Sequence, residues 1–267
     1  MNSESDVYER VSGPTPLIVS FPHVGTELPQ DIAATLTAEG RLVADTDWHV
    51  HQLYAFVRAA GASSLRAQYS RYVIDLNRPP DDTNLYPGQT TTGLCPDLTF
   101  DGKPIYSGAP PSSEEVVRRR ERYWRPYHTA LAQLIDAARA RHGFAVLLDA
   151  HSIRSVVPRL FAGRLPDVNV GTNDGRSCAP ALGASVMTVL KGQSTFSHVL
   201  NGRFKGGHIT RHYGDPARNV HAVQLELAQA AYMDESGFRF DANLARPLQR
   251  VLESVVAALL EFRPEGR

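Results

Sequence analysis

Two histidines stand at the ends of short apolar runs in this chain. His23 follows the run 17–22, and His151 ends the run 147–150. Such runs are typical of β-strands, and in parallel α/β sheets the carboxyl ends of the strands open onto the ligand cleft. A single histidine there would favour an imidazole packed in a loop. Two of them, with acidic residues nearby, indicate a metal site.

Acidic residues that could complete this site lie shortly after His23. In hydrolases, zinc commonly has three protein ligands of the histidine and carboxylate type and keeps a fourth position for water. His23 and His151 therefore need one acid, and Glu27, Asp45 and Asp47 are the candidates. A site of nitrogen and oxygen ligands suits Zn²⁺, with Mn²⁺, Co²⁺ and Fe²⁺ as alternatives.

A further carboxylate, Glu226, lies inside the apolar strand-like run 220–227. Burying an unpaired carboxylate is costly, so such a residue needs a metal, an arginine or a catalytic role. The alternative is an edge strand that keeps Glu226 in solvent. Arg211 and Arg218, which could lie at the same edge of the sheet, count against this alternative.

Arginines occur in two loops that are rich in turn residues. Arg78 follows the run 72–76, while Arg203 and Arg211 lie in the glycine-rich segment 201–214. A guanidinium group can bind a carboxylate through two parallel hydrogen bonds, and glycines allow the backbone to approach a ligand closely. Together these loops predict a small substrate with one or more carboxylates.

The composition limits the classes of protein that need consideration. The 267 residues are 42% hydrophobic and 21% charged, which is typical of a globular protein with a sizeable core. The formal net charge of +0 gives no overall field for nucleic acid or a membrane surface. Cys95 and Cys178 have no CxxC spacing, and the amino terminus lacks a signal segment or membrane span. We therefore expect a cytoplasmic protein; the sequence does not predict its oligomeric state.

Strand and helix patterns alternate along the chain. Strands are predicted at 17–21, 72–76, 145–149 and 223–227, with weaker ones at 64–69, 168–171 and 196–200. Helices are predicted at 47–60, 112–141, 179–191 and 243–262. This alternation predicts one α/β domain over 1–267, with a mixed, mostly parallel central sheet flanked by helices.

The strongest helical pattern, 112–141, carries an apolar stripe that should cover the sheet. We expect its arginines at positions 118, 119, 120 and 122 to face solvent. Pro126 lies inside the pattern and would cost about 3 kcal/mol in a helix interior. A kink or break is therefore expected there.

The segment 78–111 is rich in Pro, Gly, Asp and Thr and shows no clear period. It is long for a passive connection in a compact domain. It is predicted to be a lid or an active-site loop, with a surface excursion as the alternative.

Five stretches, taken together and in order, resemble the N-formylglutamate amidohydrolase family, and within it the enzymes of histidine degradation that remove the formyl group. They are 20–29, 45–50, 70–78, 149–152 and 201–211. The resemblance covers almost the whole chain. It implies a zinc-dependent amidohydrolase that acts on a linear amide, converting N-formyl-L-glutamate to L-glutamate and formate.

The chain is more distantly similar to zinc carboxypeptidases and aspartoacylases. That similarity implies an α/β fold with a mixed central sheet, zinc held by His23, His151 and an acid, and proton transfer by Glu226. An Asn-Arg pair binds the substrate carboxylate in the aspartoacylase-like pattern, and Asn77 and Arg78 match it.

The acid ligand departs from this wider pattern. The wider group has His-x-x-Glu, but the third residue after His23 is Thr26, and Glu27 comes one residue too late. We prefer Asp47, because a carboxylate at the start of a helix can point into a cleft at the strand ends. Glu27 and Asp45 remain alternatives.

The implied substrate has two carboxylates, which require at least two cationic contacts. Arg203 or Arg78 is predicted to stabilise the developing oxyanion. The remaining arginines, with Arg211 preferred, are predicted to bind the carboxylates. The alternatives are a related N-acyl amino acid amidohydrolase, a carboxypeptidase-like hydrolase, and a non-catalytic anion-binding domain.

Overall fold

A central sheet organises the computed structural model, which describes residues 2–4, 6–85 and 88–264. The described strands are β1 (Asn2–Glu4), β2 (Tyr8–Val11), β3 (Leu17–Phe21), β4 (Ser63–Ala67), β5 (Ala145–Ile153), β6 (Val168–Gly171), β7 (His198–Leu200), β8 (Val220–Ala228), β9 (Met233–Asp234) and β10 (Arg239–Phe240). Strands β1 to β8 form one eight-stranded sheet, and β9 and β10 pair separately.

The order of strands in this sheet is β1-β2-β4-β3-β5-β8-β6-β7. Its centre is parallel, because β3 pairs with β4 and β5, and β5 pairs with β8, all in the same direction. Antiparallel pairs join β2 to β1 and β4 near one edge and β6 to β8 near the other. The prediction of a mixed, mostly parallel sheet in one α/β domain is confirmed.

Helices cover both faces of this sheet. They are α1 (Gln30–Ala33), α2 (Ala38–Arg41), α3 (Val50–Leu53), α4 (Ser113–Arg119), α5 (Arg125–His142), α6 (Pro180–Lys191), α7 (His208–Tyr213) and α8 (Ala242–Glu261). One apolar core joins the sheet to α6 and α8, and the other joins its opposite face to α5. Across the described residues, every helix is too short or too polar to cross a lipid bilayer.

The helix around Pro126 is interrupted as expected. A π-helical turn, Arg120–Trp124, separates α4 from α5, and Pro126 occupies the first turn of α5. The amide of Arg125 donates to the carbonyl of Arg120, five residues back. The wider turn gives the proline ring room, because a regular helix would bring that ring against the carbonyl four residues earlier.

One of the arginines expected in solvent on this helix is buried. Arg119 is only 3% exposed and donates to the carbonyl of Val73 and the hydroxyl of Tyr106, while it also pairs with Glu115. The prediction for Arg119 was therefore wrong. Local hydrophobic periodicity does not reveal this partner, because Val73 lies far away in the sequence.

Two other predicted elements differ from the structure. The segment 72–76 is fully buried, but it forms turns rather than a strand. The amide of Asp75 donates to the carbonyl of Leu94 instead of to a neighbouring strand. Its branched and aromatic residues thus reflect burial rather than strand pairing. The predicted helix 47–60 is reduced to α3 and a 3₁₀ turn, Ala55–Arg58.

On one face of the central strands β5 and β8, the side chains change from apolar to polar toward the carboxyl end. On β5 this face begins with Ala145 and Leu147, which pack in the core beneath α5, and continues with Asp149 and His151. On β8 the same change leads to Gln224 and Glu226, which align with Asp149 and His151 in the sheet. The carboxyl half of the sheet therefore presents a buried polar patch.

Candidate active site

Three buried side chains converge at the carboxyl ends of β3 and β5. The Oδ2 atom of Asp47 lies 2.8 Å from Nδ1 of His151 and 3.8 Å from Nδ1 of His23. One ligand atom from each residue lies within 4.8 Å of the others, and the three residues are at most 4% exposed. The histidines and the acid preferred from sequence therefore form a cluster that could hold a metal ion.

The second ring nitrogen of each histidine faces another carboxylate. Nε2 of His23 lies 2.6 Å from Oδ1 of Asp75, and Nε2 of His151 lies 3.0 Å from Oδ1 of Asp149. Histidines that bind metals usually donate their remaining N–H to a carboxylate or carbonyl, which fixes the tautomer and the ring orientation. The Asp75 contact thereby directs Nδ1 of His23 toward Asp47, while Nε2 of His151 lies between the Asp149 carboxylate and the Asn77 amide.

The charge around this cluster also suits a cation. Asp47, Asp75, Asp149 and Glu226 are all at most 6% exposed, and Arg71 donates to Oδ2 of Asp75 from the same buried region. Burial opposes a raised pKa at His151, yet Asp149 and Asp47 raise it well above its usual value. Concentrated buried negative charge needs a compensating ion. The residues present therefore fit a divalent metal.

Glu226 lies beside this cluster on a central strand. It is 6% exposed, and β8 lies between β5 and β6, so the alternative of an edge strand in solvent is wrong. The amide of Gln224 donates to its Oε2 at 3.0 Å. Burial raises the pKa of Glu226 to about 8, His151 opposes this shift and Asp47 adds to it. A carboxylate with a raised pKa is a stronger base than one in water.

Asn77 links the cluster of His23, Asp47 and His151 to helix α7. Its Nδ2 lies 2.9 Å from Nε2 of His151, and its Oδ1 accepts the amide hydrogen of Ile209. It also lines a cavity that contains His23, Asp47, His151 and Glu226. Asn77 is thus in the place expected of a substrate-binding residue.

Arg78 and Arg203 also line this cavity. Arg78 donates to the hydroxyl of Thr92, and Arg203 donates to the carbonyl of Thr90. Both threonines belong to the segment 78–111, which thus forms one wall of the cavity as an active-site loop, whereas its role as a lid stays a prediction. Within this segment Tyr86 and Pro87 lie outside the described residues.

Arg211 does not join the other predicted arginines. It is absent from the residues that line the cavity, and its Nε donates to the carbonyl of Gly206 at 2.7 Å. Helix α7 buries the preceding Ile209 and Thr210 and leaves Arg211 half-buried, where it folds back on the loop. Arg211 therefore lies outside the cavity lining in this structure, and its role in binding a carboxylate stays a prediction.

Asp45 and Glu27, the alternatives to Asp47 as the acid ligand, contact other residues than the two histidines. The Oδ2 atom of Asp45 accepts hydrogen bonds from the hydroxyl of Tyr72 and the amide of Phe100. Glu27 is exposed, and its backbone bonds to Gln68 and Ser70. Neither acid belongs to the metal-binding cluster.

The turn that carries Asp47 is held by the chain that follows β8. Gln229 donates to the carbonyl of Thr46, and Tyr232 donates to the carbonyl of Trp48. His49, with φ of 61°, places its Nε2 2.8 Å from the carbonyl of Phe238. Bonds on both sides of Asp47 thus fix its direction toward the histidines.

Several residues of the site carry no role in the sequence interpretation. Asp149 and Gln224 precede His151 and Glu226 by two positions, so the period of a strand puts them on the same face and could have revealed them. Arg71 and Asp75 lie in the irregular segment before Asn77. Neither helical nor strand spacing predicts their contact with the cluster.

Comparisons with known proteins identify the family of this chain. The model of the N-formylglutamate amidohydrolase family matches residues 15–233. An N-formylglutamate deformylase of Pseudomonas aeruginosa is 53% identical over 255 residues, covering 95% of this chain and 96% of that protein. An N-formylglutamate deformylase of Pseudomonas putida is 52% identical over 255 residues, covering 95% of each chain.

Solved structures share the fold. The crystal structure of an N-formylglutamate amidohydrolase from Ralstonia eutropha has a TM-score of 0.81 at 29% identity, covering 95% of this chain and 97% of that chain. A gene product of Agrobacterium tumefaciens has a TM-score of 0.72 at 18% identity, covering 96% and 97% of the two chains, and supports the fold alone. The match to the family model and the similarity to the Pseudomonas proteins show that the chain belongs to the N-formylglutamate amidohydrolase family.

Proposed function

We propose that this chain hydrolyses N-formyl-L-glutamate to L-glutamate and formate in a zinc-dependent reaction. The observation that carries the proposal is the buried cluster of His23, Asp47 and His151, with Glu226 aligned beside His151 in the sheet. The names of the Pseudomonas relatives support the substrate. The whole chain, 1–267, would act as one catalytic domain.

The metal would be held by the Nδ1 atoms of His23 and His151 and by a carboxylate oxygen of Asp47. When bound, zinc supplies Lewis acidity toward the formyl oxygen and lowers the pKa of water to about 7. Two nitrogens and one oxygen form the donor set expected of a catalytic zinc site. Asp75 would keep the imidazole of His23 in the tautomer that leaves Nδ1 available, and the Asp149 carboxylate would stabilise positive charge at His151.

Glu226 would act as the proton-transfer residue. Its carboxylate would take a proton from the attacking water and deliver it to the nitrogen of the leaving amine. Burial raises the pKa of this group, so its carboxylate is a stronger base than one in water. The formamide C–N bond breaks as the amine is protonated, giving formate and L-glutamate.

Arg78, Arg203 and Asn77 would recognise the substrate, a small dicarboxylate. All three line the cavity that contains the metal-binding cluster. The guanidinium carbon of Arg203 lies 5.3 Å from the centre of the Phe204 ring, which favours a stacked orientation. One of the two arginines would stabilise the developing oxyanion, the other would bind one substrate carboxylate, and Arg211 would bind the second. We place this reaction in histidine degradation and in the cytoplasm.

A hydrolysis assay that measures the amino acid released, together with its formate or acetate, tests this proposal. N-formyl-L-glutamate, N-formyl-L-aspartate and N-acetyl-L-glutamate would be compared, each with and without a chelator. We expect the first substrate to have the highest kcat/KM and the chelator to abolish its turnover. Preferential release of acetate would assign a different acyl group, and the absence of hydrolysis with metal-loaded protein would contradict the proposal.

A further inference from the structure

Gln224 has no role in the reaction described so far, although it lines the cavity. It precedes Glu226 by two residues on β8, so both side chains lie on the same face of the sheet. It is 3% exposed, and its Nε2 donates to Oε2 of Glu226 at 3.0 Å. This contact to the proposed proton-transfer residue comes from a neighbour on the same strand.

The orientation of the Gln224 amide follows from its second partner. The backbone N–H of Gly207 lies 2.7 Å from Oε1 of Gln224. A backbone N–H can only donate, so it requires the amide oxygen on its side. The NH₂ group of Gln224 must then face Glu226, where it offers a hydrogen to the carboxylate.

The position of Gly207 is itself tightly constrained. A Cβ atom at this residue would lie 2.4 Å from Nδ2 of Asn77, so the backbone packs directly against that amide. The next two amides also bind Asn77, because His208 donates to its carbonyl and Ile209 donates to its Oδ1. The backbone that orients Gln224 is therefore anchored to another residue of the cavity.

We propose that Gln224 is a positioning residue, which holds the carboxylate of Glu226 in the orientation needed for proton transfer while the Gly207 amide holds Gln224. This inference rests on the proposed function of Glu226. The terminal torsion of a glutamate is broad, so a carboxylate without a fixed partner can rotate. A hydrogen bond to Oε2 limits that rotation and directs the carboxylate toward the water and the leaving amine.

Replacement of Gln224 by methionine tests the inference. Q224M keeps the length and approximate volume of the side chain but removes both the N–H donor to Glu226 and the oxygen that accepts from Gly207. We expect kcat for N-formyl-L-glutamate to fall by about tenfold to a hundredfold, as a lost hydrogen bond to a charged group implies. KM should change by less than about threefold, because substrate binding is not altered. Metal content, measured by elemental analysis, should equal that of the wild type.

A second variant separates hydrogen bonding from loss of packing. In Q224E, a carboxylate can still accept from Gly207 but cannot donate to Glu226 when ionised. We expect a fall in kcat at least as large as in Q224M, again with metal content retained. The matched control is Q249M, because Gln249 lies on α8 outside the cavity and donates to the carbonyl of Leu53. Q249M should retain wild-type kcat and KM.

The outcomes distinguish this inference from the proposed function. Wild-type turnover with unchanged kcat in Q224M or Q224E would overturn the positioning role while the function stands. A loss of activity that simply follows a loss of bound metal, or of folded protein in thermal denaturation, would also overturn it. Absence of wild-type turnover would overturn both the function and the role that rests on it.

Discussion

At the scale of single residues, the site is defined by carboxylates around two imidazoles. Nδ1 of each histidine lies nearest Asp47, and Nε2 of each faces a separate aspartate, Asp75 or Asp149. The sequence led to both histidines and to Asp47, since His23 and His151 end strand-like runs. Asp75 could not be predicted in this way, because the segment that carries it has no regular period.

The role of Asp149 can be tested by its amide variant. D149N keeps the shape of the side chain but removes a negative charge that lies 3.0 Å from Nε2 of His151, so the imidazole becomes a less basic and poorer ligand. We expect about tenfold to a hundredfold weaker zinc binding, measured by competition with a chromogenic chelator. The control is D136N, because the Asp136 side chain is 73% exposed and pairs with Arg139. Equal zinc affinity in D149N and D136N would show that Asp149 does not support the ligand.

The role of Glu226 can be tested in the same way. E226Q should lower kcat by about a hundredfold to ten-thousandfold, because an amide cannot take the proton from water. Zinc content and substrate binding should stay close to those of the wild type. E253Q, at an exposed position of α8, is the control. Near-normal kcat in E226Q would exclude Glu226 as the proton-transfer residue.

At the scale of elements, the parallel register of β5 and β8 assembles half of the site. Asp149 aligns with Gln224, and His151 aligns with Glu226. The strands themselves could be predicted, since their cores are apolar runs. Their register could not, because it depends on contacts between segments separated by about seventy residues in the sequence. The same limit applies to Arg119, whose partner Val73 is distant in the sequence.

The helix α5 and its preceding π turn hold the loop that carries Asn77 and Arg78. Nε1 of Trp124 donates to the carbonyl of Arg78 at 3.0 Å, and Nε2 of His128 donates to the carbonyl of Leu76 at 2.8 Å. Pro126 predicted that the helix would be interrupted. It did not reveal that the interruption lies next to the residues that bind this loop.

This arrangement predicts a dependence of stability on pH. Burial, and after it the neighbouring His208, lowers the pKa of His128 to about 3, so the folded state favours the neutral ring. The unfolded chain gains the proton near pH 6.5, so stability is full above that pH and falls as the pH decreases toward 3. The slope from this residue is at most about 1.4 kcal/mol per pH unit. H128Q should show a shallower decrease in the free energy of unfolding between pH 6 and 4, measured with urea. Parallel slopes would contradict the assignment.

At the scale of the whole molecule, a neutral protein concentrates negative charge in one buried place. The formal net charge is +0, while the buried Asp47, Asp75 and Glu226 line the cavity and Asp149 lies behind them against His151. The composition excluded a general attraction to nucleic acid but could not reveal this local concentration. Folding brings these acids together from four separate parts of the chain.

The stability of the protein should therefore depend on bound metal. Zinc at a thousand times its dissociation constant should add about 4 kcal/mol to the free energy of unfolding. Thermal denaturation of the chelated and zinc-loaded forms measures this difference as a change in Tm. H23A should lose most of the zinc-dependent increase in Tm, because it removes one ligand. The same increase in H23A and wild-type protein would place the stabilising metal elsewhere.

The most direct test of the central claim is a zinc titration of metal-free protein, followed by the rate of formate release from N-formyl-L-glutamate. We expect negligible formate release before zinc is added. The rate should then rise linearly with added zinc and reach a plateau at one ion per chain. H151A should show no comparable rise. Full turnover by the metal-free protein, or a plateau that H151A also reaches, would contradict a zinc-dependent deformylase built on His23, Asp47 and His151.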